Sequence, residues 1–383
     1  MPSTVLDSDI FKDMFGSADM RAVFSDDNLL KCFVEAEVAL AIAQGRLGVI
    51  PQDAADAIAK AAPSVPIDRD VLKHEAENVG YPILGLVRQL SAKLGEAGRY
   101  VHWGATTQDI VDTAMQLQIR DAIGIIAEDL RAIDERLATL ARQHRATAMI
   151  GRTFLQHARP TTFGMRAALW LDAVTSCLED LEGVRAACSL QLGGPVGVFD
   201  GLGGRADEVA ELVATSLGLR RPDASWHGDR SRVAAACSAI ARAARCMAKI
   251  ATDVALLASS EIAEITVRAG ASSSMVGKRN PFDAVRTIAC ADACAGLVAT
   301  VAGARPIELE RGIGGWHVEW FAVPLVFTTA AASTATMRAC LDSLDVDATQ
   351  MLRNLGTAAD PRLTEQAAAT IDRLVARRTP QPG

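Results

Sequence analysis

Five long stretches of helical pattern, at about 109–145, 162–190, 229–265, 282–304 and 318–342, constrain this chain more than any other feature. Helices of roughly 25 to 35 residues far exceed the usual mean, so they must pack side by side in a bundle or across subunits. Their faces are dense in alanine, as at Ala235, Ala236, Ala239, Ala243 and Ala244. Alanine lets helices approach closely and carries apolar surface around much of the cylinder. Such helices are seldom satisfied within one small monomer, so the pattern predicts an oligomer; a large monomeric bundle is the alternative.

Composition agrees with a helical protein. Half of the 383 residues are hydrophobic, mostly Ala, Leu and Val, while aromatic residues are 4% with only two Tyr, a balance that favours close-packed helices over sheets. The net charge of −7 and the absence of a Lys/Arg stripe argue against nucleic acid as a partner, so an anionic ligand must be met by local cations. The eight cysteines lie in apolar helical runs without a CxxC pair or a nearby metal-ligand pattern, which predicts buried free thiols in a reducing cytoplasm and no metal site. Met1–Met20 has no apolar core of a signal peptide, and no run of about 18 uncharged apolar residues predicts a membrane span.

In chain order, Ser25 or Asp26 caps a helix on which Leu29, Phe33, Ala36, Leu40 and Ala43 recur at helical spacing until Gly48 and Pro51. A shorter helix over 52–62 follows, then one or two more over 67–95, interrupted around Gly80–Pro82. The expected division is an N-terminal helical domain (1–98), a central long-helix bundle (99–345) and a short C-terminal helical remnant (346–383) with one helix over about 364–378. The glycine-rich stretch 192–204 lacks both nucleotide-loop patterns and reads as turns between helices.

Three polar clusters punctuate the long helices. Tyr100–Asp109 carries His102 and the adjacent Thr106 and Thr107, which are either N-cap material or, with helix N-terminal amides, a carboxylate cradle. Gly151–Gly164 gathers Gln156, His157 and Arg159 ahead of another long helix. Gly270–Pro281 holds three serines, Ser272, Ser273 and Ser274, followed by Lys278 and Asn280. That last stretch is either a Ser/Gly connector or a loop equipped to hold a carboxylate while a serine moves a proton.

The runs HWGATTQDIVDTA, GRTFLQHARPTTFG and SSSMVGKRNP, in this order, resemble the three separated regions of the fumarase/aspartase superfamily, which includes adenylosuccinate and argininosuccinate lyases. The resemblance extends from residue 24 to ERGIGGWHVEW (310–320), a run most similar to the bacterial 3-carboxy-cis,cis-muconate cycloisomerase branch. It implies an all-α subunit of three domains, here with a shortened C-terminal domain. It further implies a homotetramer whose active sites draw on three subunits, no cofactor or metal, and a small polycarboxylate substrate.

By the same resemblance, Ser273 exchanges a proton with carbon. Lys278, Asn280, Thr106 and Thr107 stabilise an aci-carboxylate, and His102, Gln156, Arg159 and Arg311 complete the substrate contacts. Four positions depart from the superfamily pattern: Val276–Gly277 before the lysine, Thr107 in place of serine, Arg159 in place of a small or polar residue, and Phe154 where many lyases have a general-acid histidine. A departing amine or alkoxide needs an acid at that point, whereas a carboxylate, with a pKa of about 4, does not. Phe154 therefore favours cyclisation, with His157 as a candidate substitute acid. The expected function is a cycloisomerase. The alternatives are a fumarate-releasing lyase with a weakly basic leaving group of the nitrosuccinate type, an adenylosuccinate lyase-like C–N lyase, and a non-catalytic relative.

Overall fold

The computed structural model describes residues 4–202, 204–271, 274–275, 277–356 and 361–378. Short helices α1 (Lys12–Phe15) and α2 (Ala18–Val23) precede α3 (Asp26–Arg46), whose N-cap Ser25 accepts a hydrogen bond from the Asn28 amide. Next come α4 (Gln52–Ala61), α5 (Arg69–Val79) and α6 (Ile83–Leu94), with Gly80 ending α5 in the left-handed region at φ 91°. The expected break at Gly80–Pro82 is therefore a real helix boundary, made where a residue without Cβ takes positive φ at no steric penalty.

The bundle consists of α7 (Thr107–Gln143), α8 (Phe163–Ala186), α10 (Ser231–Leu257), α11 (Phe282–Ala302) and α12 (Gly315–Asp342), with α9 (Ala206–Leu217) packed on α3. Residues 345–378 contribute α13 (Ala348–Leu355) and α14 (Pro361–Ala376). Side-chain contacts fix the directions. Trp316 Nε1 donates to Asp112 at the start of α7, and Arg136 donates to the Leu341 and Leu344 carbonyls near its end, so α7 and α12 run parallel. Arg230 binds Asp112, setting the start of α10 beside that of α7. Thr175–Asp134 and Arg286–Thr336 contacts make α8 and α11 antiparallel to them. Eleven apolar residues of α7, among them Ile119, Ile123, Ile126, Leu130, Ile133 and Leu137, are 0% exposed, which marks α7 as the central strut.

Several features depart from the sequence expectations: the C-terminal stretch carries two helices, α13 and α14, where one over about 364–378 was expected, because α13 is only eight residues long, and α9 was not expected at all. The second polar cluster is a hairpin, β1 (Ala148–Thr153) and β2 (Gln156–Thr162), and a second small pair joins β3 (Ile265–Thr266) to β4 (Asp345–Val346). The hairpin turn is Phe154–Leu155 at φ 51° and 62°, a two-residue turn of the kind that normally uses Asn or Gly. No such residue was there to announce it. Also, α11 and α12 are apolar and long enough to cross a membrane by length and composition, with mean hydropathies of 1.5 and 1.3. In α12, 72% of the most apolar 18-residue stretch is buried as core, but in α11 only 33% of it is. Phe282, Val285, Ala289, Ala293 and Gly296 form an exposed stripe along α11 at helical spacing.

Candidate active site

The long helices place the three clusters at two ends of the bundle. His102, Thr106 and Thr107 stand where α7 begins, and the hairpin follows where it ends. At 1.5 Å per residue the 37 residues of α7 span about 55 Å. One chain therefore cannot close its first and second clusters around a single small molecule.

At the near end, Thr106 is the N-cap of α7, and its amide donates to the Asp109 carboxylate at 2.9 Å. The same carboxylate accepts from the Gly194 amide at 2.9 Å and pairs with His227 Nε2 at 2.7 Å. The glycine-rich stretch is thus pinned to the helix start. Gly104 and Gly201 touch backbone to backbone, and a Cβ on Gly201 would lie 2.6 Å from the Gly104 Cα. Arg311, from the loop between α11 and α12, donates to the Thr106 hydroxyl at 2.9 Å. The structure therefore joins two predicted substrate contacts, Thr106 and Arg311, that lie 205 positions apart. Thr107 is half-buried beside them as the first residue of α7.

His102 occupies the left-handed region at φ 62°, held by two bonds from Glu37 on α3: the backbone amide donates to Oε2 at 3.0 Å, and Nδ1 lies 2.6 Å from Oε1. The Glu37 side chain is 1% exposed and that of His102 18%. Burial pulls the imidazole pKa down, but the charge and hydrogen bond of Glu37, with Asp109 behind it, hold it above its ordinary value. His102 is accordingly biased to the imidazolium, with Nδ1–H on Glu37 and Nε2–H left for an anionic ligand. Beneath this layer Arg230 ties Asp112 (2.6 and 2.9 Å) to Glu319 (2.5 and 2.9 Å), and Trp316 donates to Asp112 at 2.9 Å. Burial pushes the Glu319 carboxyl up while Arg230 holds it down. This node locks the starts of α7, α10 and α12 together.

At the far end Gln156, His157 and Arg159 are exposed on β2. Phe154 at the hairpin tip is 99% exposed. The serine loop sits at the same end. Gly270 and Asn280 close its base by reciprocal amide–carbonyl bonds of 3.0 and 3.3 Å, and Arg268 grips Asp283 at 2.9 and 3.0 Å. A buried pair, Arg152 with Glu264 at 2.7 Å, ties the hairpin to the segment leading into that loop. Lys278 is exposed and Asn280 half-buried; Ser273 lies outside the described residues. Among the described residues, no group of three or more His, Cys, Asp or Glu is placed to hold a metal ion.

The sequence reading missed Glu37, Asp109 with His227, and the Arg230 node. Glu37 did leave a signal, a carboxylate one turn after Phe33 and one turn before Leu40 on the apolar stripe of α3.

The profile of the lyase family matches residues 15–293. A 3-carboxy-cis,cis-muconate cycloisomerase of Bradyrhizobium diazoefficiens is 39% identical over 92% of this chain and 80% of its own. A nitrosuccinate lyase of Streptomyces davaonensis is 36% identical over 98% and 82%. Among solved structures, the 3-carboxy-cis,cis-muconate lactonizing enzyme from Pseudomonas putida superposes with a TM-score of 0.85 at 33% identity, covering 96% of this chain and 88% of that one. With three of its polar clusters carried on the same long-helix bundle, the chain belongs to the lyase family of the fumarase/aspartase superfamily and is an enzyme of that superfamily.

Proposed function

We propose that the enzyme closes 3-carboxy-cis,cis-muconate to a carboxymuconolactone by reversible intramolecular addition of a carboxylate to a double bond. The observation that carries this choice over an elimination is Phe154, an apolar side chain at the exposed hairpin tip where a leaving amine would need an acid. In the closing direction a carboxylate oxygen bonds to one alkene carbon, and the displaced electron pair moves onto the adjacent carboxyl group as an aci-carboxylate dianion. Lys278, Asn280, Thr106 and Thr107 stabilise that charge, and Ser273 supplies the proton that ends on carbon. His102 and Arg311 hold a further carboxylate at the near end, while Gln156, His157 and Arg159 reach the substrate from the hairpin. The addition is redox-neutral and needs no electron carrier.

Because the clusters stand about 55 Å apart in one subunit, this reading requires near and far ends of different subunits to meet. A homotetramer with shared sites does so, and the apolar stripe on α11 supports such assembly. The 1–98, 99–345 and 346–383 division and a cytoplasmic location complete the proposal. Mixing the protein with 3-carboxy-cis,cis-muconate should remove the diene absorbance; unchanged absorbance rejects the reading. A second reading, a lyase releasing fumarate from a nitro-substituted succinate, draws support from the nitrosuccinate lyase relative and from the exposed cation Arg159 on β2. Fumarate formation across substituted succinates separates the two.

A further inference from the structure

The hairpin and the serine loop are tied to one buried carboxylate. Glu264, in the short segment between α10 and β3, is 0% exposed, and both of its oxygens are occupied. Oε2 accepts from Arg152 Nη1 at 3.0 Å, while Oε1 accepts from Arg152 Nη2 at 2.7 Å and from Asn354 Nδ2 at 2.9 Å. Its main chain is held as well. The Glu264 amide donates to the Leu257 carbonyl at the end of α10 at 2.9 Å, and its carbonyl accepts from the amide of Asp347, the N-cap of α13, at 3.0 Å. Arg152 lies on β1 directly opposite His157 of β2, so it grips the hairpin at the strand pair that carries a proposed substrate contact. In the other direction the chain runs from Glu264 through β3, paired with β4, to Arg268, whose guanidinium holds Asp283 and whose amide donates to Ser343 Oγ at 3.0 Å. Gly270 and Asn280 then close the loop base. Asn354 adds α13 to the hub, its Nδ2 also donating to the Ile262 carbonyl at 2.8 Å.

We propose, on the reading that these two clusters act on the substrate, that Glu264 is a positioning residue that fixes the hairpin and the serine loop relative to one another, with α13 as the brace. Glu264 is itself enclosed and acts only through Arg152 and the chain that follows it. A buried ion pair is a weak source of stability, because desolvating two charges offsets most of their attraction. Its strength is directional: a bidentate fork, with a third donor on one of the same oxygens, narrowly restricts how its partners can be placed. Lys278 and Asn280 stabilise charge that develops only in the transition state, whereas His102 and Arg311 hold a carboxylate already present in the substrate. Losing the hub should therefore lower kcat and leave KM nearly unchanged, since a displacement of about 1 Å in such groups costs on the order of 100-fold.

The test uses Glu264→Gln in the full-length protein, a change that keeps the side chain's size but turns amide hydrogens toward Arg152 or Asn354. Hydrogen exchange should quicken together in the hairpin (148–162) and in residues 265–270 and 280–283, with the start of α7 unchanged. Quickening in only one of the two segments, or in neither, overturns the hub. In turnover of the substrate that the wild-type enzyme consumes, followed by diene loss or fumarate release, kcat should fall about 100-fold with KM within about threefold. A rise in KM at unchanged kcat overturns the positioning role. An enzyme that consumes neither candidate substrate fails the proposed reaction, while the exchange pattern still decides the hub. The double variant Arg152→Met with Glu264→Leu separates placement from stability: an apolar pair should bring the melting temperature back toward wild type and leave kcat low. Recovery of kcat along with the melt would make the pair merely structural and overturn the proposal.

Discussion

His102 shows how a buried carboxylate can set the charge of a partly buried imidazole. The Glu37 pair fixes both the ring orientation and, by raising the imidazole pKa, its protonation. A group whose folded pKa is raised contributes stability that is fully present below its unfolded value, about 6.5, and lost as pH rises through the folded value. Glu37→Gln should therefore lower unfolding free energy by roughly 2 kcal/mol in mildly acid solution, with the deficit shrinking as pH rises above that point. Urea melts of both proteins across pH check this, and a deficit independent of pH would show that the pair carries no proton linkage. The same substitution should weaken substrate binding more at neutral than at acid pH, visible as a rise in KM. Of the candidate site residues, the sequence placed Thr106 correctly as N-cap material at the start of a long helix, while the meeting of Thr106 with Arg311 across 205 positions left no local pattern to read. Glu37 left only its place on the apolar stripe of α3 as a signal, because its partner is 65 positions away.

At the scale of elements, helix α7 begins where it does because Asp109 serves three donors at once: the Thr106 amide, the Gly194 amide and His227. Asp109→Ala strands all three and should cost on the order of 3 kcal/mol. Hydrogen exchange should quicken at residues 193–202 and in the first turn of α7, with the far end unchanged; uniform quickening would mean that the anchor is not local. The long helices themselves were readable because a 3.6-residue pattern sustained over 20 or more residues has few competing explanations. The hairpin was not readable, since Phe154 and Leu155 take positive φ without the glycine or asparagine that usually announces such a turn. Two left-handed non-glycine residues at an exposed apolar tip are strained, and strain of this kind persists at sites that something else requires. Helix α9 was also missed, hidden as a short run between glycine-rich turns.

For the molecule as a whole, the separation of clusters along α7 makes a prediction about mixtures. A His102→Ala variant spoils the near end and a Lys278→Ala variant the far end. If sites are shared, refolding the two inactive proteins together should return about a quarter of the sites intact, because independent subunits supply each end. No recovery of lactonisation in the mixed refold would place every contact within one chain and refute the shared-site reading. The long reach of the bundle contacts bears on synthesis as well. Asp112 meets Trp316 only after 204 further residues have emerged, which at about 5–20 residues per second leaves the start of α7 waiting roughly 10–40 s on the ribosome. During that interval its apolar face has only α8 and the earlier helices to lie against, so nascent chains are most exposed to misassociation in the window between the emergence of α7 and that of α12.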